Sequence, residues 1–310
     1  MSAMTPIPLS SPRPVSAPRT PLPPGSWDSH AHVFGPFERF PLLEPRRYTP
    51  PLAPVADYLT MLDTVGFARG VLVHASASGY DNSGTMDAVT QAAGRVVGVA
   101  VVQPSIDDQA LEKMHLQGFR GVRFTINGAR SQQSTGSLDF DDLRDFAPRL
   151  KALGWHAQIW AKCDYLVEEA RALAGYDLPV IIDHMGYFDP ERGVKDGTFQ
   201  SFLSMLGDGD FWVKHTPIRL TKTDPTYASI RPFHDALLAR APDRILFGSD
   251  WPYISLDAQP PNPGGLIDLF DAWTPDDAIR HKVFVDNPTR CYLRQSAVGA
   301  AAVKAAPAGR

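Results

Sequence analysis

Two histidines, His30 and His32, stand two residues apart in the run Trp27-Asp-Ser-His-Ala-His-Val33. In an extended strand, residues i and i+2 share a face, so both imidazoles project to one side. A third histidine closes the apolar run Ile181-Ile-Asp-His184, and an aspartate closes Phe247-Gly-Ser-Asp250. Packing does not call for imidazoles and a carboxylate at the ends of apolar strands. Brought together, they support two kinds of chemistry. The Asp250 carboxylate can take a proton from a water within hydrogen-bond reach, about 3 Å, while the imidazole N–H groups stabilise the charge that gathers on a carbonyl oxygen. The same four side chains also make a set for one divalent metal, zinc or manganese, with an open coordination position. The residues alone leave both open. Lys162, near the end of the fifth apolar run, reads as a solvent-facing lysine at a helix entry, so no lysine bridge for a two-metal site is expected.

Arginines add a second signal. Arg123, Arg130 and Arg219 all fall just beyond strand ends. A guanidinium pairs with a carboxylate through two parallel bonds, so three arginines near one pocket mouth point to a small polyanionic ligand. Ser76, at the end of the second run, and Tyr48, in the long loop after the first, offer hydroxyls for ligand oxygens.

The elements that must position these groups alternate along the chain. Eight short β-rich runs are expected at 27–33, 70–76, 96–102, 121–125, 156–161, 179–185, 211–216 and 244–250. Several are apolar throughout, as in Val96-Val-Gly-Val-Ala-Val-Val102, the pattern of strands buried on both faces of a parallel sheet. Amphipathic stretches separate them, at 54–65, 82–93, 107–115, 140–153, 164–173, 199–206 and 227–238. Closing helices follow at 266–273 and 276–285. In the first stretch the apolar positions 55, 58, 59 and 62 fall on one helical face. This alternation predicts an α/β fold, a single (β/α)8 TIM barrel over residues 26–295, whose chemistry collects at the C-terminal ends of its strands. No G-x-G-x-x-G follows the first run, which counts against a doubly wound dinucleotide fold. Residues 1–25 carry eight of the 29 prolines and read as a Pro-rich N-terminal arm. Residues 296–310, rich in alanine and glycine, read as a flexible C-terminal tail.

Composition sets bounds. The formal net charge is −4 over 310 residues, which argues against nucleic acid or an anionic membrane as partner. Two cysteines cannot form a disulfide framework, and no apolar run reaches the ~18 residues of a membrane span. With no secretory signal pattern, a cytoplasmic protein is expected. The oligomeric state is left open by the sequence.

The runs Asp28-Ser-His-Ala-His-Val-Phe-Gly-Pro36, Ile182-Asp-His-Met-Gly186 and Gly248-Ser-Asp-Trp-Pro252 resemble the amidohydrolase superfamily, in its amidohydrolase 2 branch. Within that branch they are most similar to the 2-pyrone-4,6-dicarboxylate lactonases, as is Arg120-Gly-Val-Arg123-Phe together with Arg130. The resemblance implies a hydrolase that opens the ester ring of a small polyanionic lactone, of pyrone-dicarboxylate or muconolactone type, in aromatic-compound catabolism. It assigns water activation to Asp250 and carbonyl polarisation to His30, His32 and His184, with no required metal. Three features depart from that lactonase pattern. Tyr187 stands where an arginine is expected, Trp160 where a tyrosine is expected, and the loop between Arg123 and Arg130 is one residue longer. These positions are expected to touch substrate rather than the reacting bond, so the anionic groups of the substrate are expected to differ. A sulfonated muconolactone is one such variant. The alternative within the superfamily is a metal-dependent decarboxylase acting on an aromatic or aminomuconate acid. A barrel that only binds a small anion is the non-enzymatic alternative.

Overall fold

The structure, a computed structural model, describes residues 14–46, 48–126, 136–221, 224–254, 256 and 261–294. Eight strands follow one another around a single sheet in the order of the chain. They are β1 (Trp27–Ala31), β2 (Arg69–Val73), β3 (Val96–Ala100), β4 (Phe119–Ile126), β5 (His156–Ala161), β6 (Val180–Ile182), β7 (Phe211–His215) and β8 (Ile245–Phe247). Every neighbouring pair from β1 to β8 is parallel. The helices between them are α1 (Val55–Val65), α2 (Ser83–Gln91), α3 (Asp108–Leu116), α4 (Phe140–Leu153), α5 (Cys163–Glu168), α6 (Ala170–Gly175), α7 (Gly197–Met205) and α8 (Arg231–Arg240). After β8 come α9 (Pro263–Trp273), α10 (Asp277–His281) and α11 (Asn287–Tyr292). The chain is a (β/α)8 barrel, as the alternation of its sequence requires.

Local chemistry explains the elements. In α1 the buried residues are Val55, Tyr58, Met61, Leu62 and Val65, one face of a helix laid on the barrel, and Gly66 ends it at φ 97°. Helix α4 starts at a reciprocal cap: the Asp139 side chain accepts from Asp142 N while Asp142 reaches back to Asp139 N. Inside the barrel, Val71, Val73, Val97, Val99, Ile181, Trp212 and Leu246 pack as one apolar cluster. The sequence runs overshoot the strands at their C-terminal ends. Strand β2 stops at Val73, β6 at Ile182 and β8 at Phe247. The residues beyond leave the ladder because they turn: His184 sits at φ 51° and Asp250 at φ 61°, in the left-handed region. The stretch 164–173 is two helices, α5 and α6, meeting at Glu169, and α8 begins only after Tyr227 has turned at φ 56°.

Residues 14–25 form neither helix nor strand. Ser16 N donates to Asn262 Oδ1 at 3.1 Å, and Arg280 donates to Thr20 O and Pro21 O at 3.0 and 3.1 Å. This part of the chain therefore lies along α9 and α10. The expected tail falls outside the described residues.

The ring closes between β8 and β1 with little ladder. One parallel bridge joins Ala31 to Trp251, flanked by Asp250 N to His30 O and His32 N to Trp251 O, both 2.8 Å. Side chains complete the seam. The fully buried Asp28 accepts from Ser249 N at 2.8 Å, Ser249 Oγ at 2.7 Å and Tyr58 Oη at 3.1 Å. Burial pushes its carboxyl up to about 6, with the Ser249 bonds holding it from rising further, so it is mostly ionised at pH 7. Asp28→Ala strands these donors inside the protein. The expected loss is about 3 kcal/mol of stability, read as a lower Tm with reduced turnover. An unchanged Tm would show that Asp28 is not what holds the seam.

Candidate active site

The seam carries the reactive groups. His30 ends β1 one residue before Ala31, His32 follows it, and Asp250 lies three residues past β8. His184 arrives from the turn after β6. His30 Nε2 lies 3.3 Å from His32 Nε2, and the His30 and His184 rings are 5.0 Å apart between centroids. Asp250 Oδ1 lies 3.6 Å from His30 Nε2 and 3.7 Å from His32 Nε2. All four residues are buried. The expected catalytic group is thus assembled in one place.

The two oxygens of Asp250 differ. Arg219 Nε donates to Oδ2, and Arg219 Nη1 is braced on Ile254 O at 2.7 Å. Oδ1 has no hydrogen-bond partner among the described residues. Burial alone would raise this carboxyl, but Arg219, followed by the three histidines, outweighs it and holds Asp250 below the ordinary carboxylate range. Burial also keeps the imidazoles neutral: His32 is pushed down to about 3, His184 to about 4 and His30 well below its ordinary value. At neutral pH the site therefore presents an ionised carboxylate beside neutral rings.

A second carboxylate supports the first group from below. The fully buried Asp183 accepts from Gln158 Nε2 at 2.9 Å and from Arg123 Nε at 3.1 Å, with Arg123 Nη2 at 3.0 Å. Its Oδ1 lies 3.2 Å from His30 Nδ1 and 3.5 Å from Lys214 Nζ. Burial pushes Asp183 up, while the groups around it, Lys214 and Arg123 among them, pull it well below the usual range. Burial pushes Lys214 down to about 8 against the attraction of Asp183, so the ammonium form predominates at pH 7.

His30, His184 and Asp250 bring one ligand atom each within 4.8 Å of one another. With Oδ1 of Asp250 unpartnered, this set fits a divalent metal. Such an ion, when bound, would polarise a carbonyl or lower the pKa of a bound water.

The remaining expected site residues are placed as follows. Arg123 spends its Nε and Nη2 on Asp183 and is half-buried. Arg219 is held by Asp250. The Tyr48 hydroxyl is hydrogen-bonded to Ser76, which opens a short turn after β2 rather than ending the strand. The Trp160 and Tyr187 rings meet at 5.2 Å between centroids, both partly exposed, at the ends of β5 and β6. Arg130 lies outside the described residues. Sequence reasoning passed over Asp183, Gln158, Lys214 and Thr216, whose Oγ1 meets His184 Nδ1 at 2.8 Å. The signal for Lys214 was present: it stands two residues after Trp212 in an apolar strand, which aims both into the barrel. His215, next in line, faces the other way and pairs with His234 at 2.9 Å in the outer shell.

The buried neutral histidines set an acid limit. His74 and His234 are lowered to about 4 and His156 to about 3, by burial first, alongside His32 and His184. A folded pKa below the unfolded one means that the unfolded chain binds protons first. This stability is therefore present above about 6.5 and is lost as pH falls toward 4. Each such histidine costs on the order of 1–2 kcal/mol at pH 5. Asp28, raised to about 6, works the other way for one group only. The Tm is expected to fall steeply between pH 6.5 and 4. A flat Tm across that range would mean that these rings charge freely in the folded protein.

Comparison with known proteins accords with this geometry. The amidohydrolase family model matches residues 27–294. A 4-sulfomuconolactone hydrolase of Rhizobium radiobacter is 36% identical over 289 residues, covering 92% of this chain and 96% of that protein. A 2-pyrone-4,6-dicarboxylate hydrolase of Comamonas testosteroni is 36% identical over 287 residues, covering 89% and 93%. Among solved structures, a "probable 2-pyrone-4,6-dicarboxylic acid hydrolase" of Acinetobacter baumannii with citric acid bound superimposes with a TM-score of 0.77 at 28% identity, over 87% of this chain and 100% of that one. A barrel with histidines on its first and sixth strand ends and an aspartate after its eighth, matched over this length, places the chain in the amidohydrolase family.

Proposed function

We propose that the protein opens the ester ring of a small polyanionic lactone by attack of a water that Asp250 activates, with no metal required. One observation carries this reading. Asp250 Oδ1 is an ionised, buried oxygen with no hydrogen-bond partner among the described residues, facing two imidazole nitrogens at 3.6 and 3.7 Å. A water seated on Oδ1 stands beside the place where a carbonyl oxygen would meet the imidazoles. Attack forms the new C–O bond while Asp250 takes the water's proton. The carbonyl oxygen gathers charge against the His30 N–H and the nearby cations. Collapse breaks the ring C–O bond, and Asp250 returns its proton to the departing oxygen. The relatives named for lactone hydrolysis support the reaction class. No observation favours the decarboxylase alternative.

The low basicity of Asp250 in the free site has a remedy in the same pair. A substrate anion that competes for Arg219 would release Oδ2 and raise the basicity of the carboxylate as the substrate binds. Arg219, Arg123 and Arg130 suit a polyanion, as does the citric acid held by the Acinetobacter structure. Two free, buried cysteines suit a cytoplasmic place, and no helix among the described residues is long and apolar enough to cross a membrane.

Asp250→Asn keeps size and removes basicity. With a lactone found by screening carboxylated and sulfonated pyrones and muconolactones, kcat should fall by about two to four decades while binding persists. Activity within about threefold of wild type would take Asp250 out of the mechanism. Dialysis against a strong chelator should leave turnover intact. Complete loss restored by zinc or manganese would replace this reading with a metal-dependent one.

Trp160, at the end of β5, and Tyr187, in the turn after β6, form a neutral, aromatic pair. One phenol O–H replaces the bidentate pairing that an arginine would offer. That exchange is worth roughly 1.5–3 kcal/mol for a charged hydrogen bond, about ten- to a hundredfold in rate. Tyr187→Arg should therefore raise kcat/KM for 2-pyrone-4,6-dicarboxylate relative to the native substrate. No change in that ratio would place the second anionic group elsewhere.

A further inference from the structure

Beyond these residues, the hydrogen bonds of the site determine which nitrogen of His30 carries its proton. His32 Nδ1 lies 2.7 Å from Val73 O. A carbonyl oxygen only accepts, so His32 is protonated on Nδ1 and its Nε2 is a bare lone pair. His30 Nε2 sits 3.3 Å from that lone pair. The contact is a hydrogen bond only if His30 donates, which puts its proton on Nε2 and leaves Nδ1 bare. Two side chains face His30 Nδ1: the Asp183 carboxylate at 3.2 Å and Lys214 Nζ at 3.2 Å. A bare nitrogen takes nothing from a carboxylate, so its partner is the lysine. Lys214 has three acceptors within reach: His30 Nδ1, Gln158 Oε1 at 2.7 Å and, more distant, Asp183 Oδ1 at 3.5 Å.

We propose that Lys214 is a positioning residue that holds His30 in the Nε2–H form and so aims a proton donor at the carbonyl oxygen of the substrate. This inference rests on the metal-free hydrolase reading above, both for its catalytic consequence and because a metal on His30 Nε2 would displace the proton. Without Lys214, His30 gains a bond by placing its proton on Nδ1, toward Asp183. Its Nε2 would then be bare and would face the bare Nε2 of His32. The donor to the carbonyl oxygen is lost, although every ring stays in place.

The experiment reads the tautomer directly. In ligand-free protein labelled with 15N at histidine, the His30 signals are assigned by their loss in His30→Gln. The wild type should show protonated Nε2 and bare Nδ1. In Lys214→Met the two should exchange, and kcat should fall by about 100-fold, the effect of losing one transition-state donor, with KM within about threefold. Adding Asp183→Asn supplies an amide donor opposite His30 Nδ1 and removes the carboxylate that has lost one of its two cations. The double variant Lys214→Met/Asp183→Asn should restore the Nε2–H signature and recover kcat at least tenfold, whereas a purely structural lysine predicts a double variant no better than the single one. Wild-type His30 with its proton on Nδ1 overturns the proposal, as does an unchanged tautomer in Lys214→Met. Should that single variant fail to fold, the wild-type spectrum and the charge-balanced double variant decide the matter. A wild type with the expected tautomer that hydrolyses no lactone would sink the functional reading and leave the assignment of Lys214 standing.

Discussion

Two ionised carboxylates, Asp183 and Asp250, lie inside one barrel with almost no solvent contact, and the arrangement around them follows from that constraint. A buried carboxylate is several kcal/mol less stable than a hydrated one unless cations and donors replace the water. Asp183 is met by Arg123, Lys214 and Gln158, and Asp250 by Arg219. These three cations are set against the two carboxylates, and Asp28 at the adjoining seam is a third buried anion. The deeper carboxylate is saturated on both oxygens, whereas the outer one keeps Oδ1 free. On the proposed reading, that difference separates a supporting role from a chemical one.

The fold makes the constraint affordable through its geometry. Parallel strands with a buried interior present side chains in layers, and here the cluster of Trp212, Ile181 and the valines seals the barrel below Lys214. Above it, the strand ends deliver polar groups to the opening. The β8–β1 seam has only a thin ladder, so Asp28 with Ser249 and Tyr58 sets how closely Asp250 approaches the histidines. Gly248 sits at the same joint, where an added Cβ would lie 2.7 Å from His30 Cβ. Seam and site are one structure.

Much of this was legible in the sequence for a physical reason. Strands buried on both faces are written as apolar runs, and a polar residue ending such a run has to be satisfied by something at the barrel mouth. His30, His32, His184 and Asp250 all announced themselves in that way. Lys214 and Gln158 did not, because one polar residue inside a strand is read as facing outward unless the period is followed from Trp212 or His156. The pairing of Arg123 with Asp183 was out of reach as well, since it joins residues 60 apart through the curvature of the barrel. Strand ends were read too long because His184 and Asp250 adopt left-handed turns that composition does not disclose.

The polar network and the aromatic pair of Trp160 and Tyr187 are held in different ways. The groups placed to act on a carbonyl and a water come from β1, β6, β7 and the turn after β8, and they are locked to one another and to buried carboxylates. Trp160 and Tyr187 stand at the ends of β5 and β6, touch each other, and take no part in that locked network. On the proposed reading, a substitution in this aromatic pair changes which anion fits without disturbing Asp250 or the histidines. The two relatives at 36% identity are named for the hydrolysis of different anionic rings, one sulfonated and one dicarboxylated. On the proposed reading, such a site can exchange one anionic group for another at the aromatic pair while the carboxylate that activates water and its cations stay unchanged.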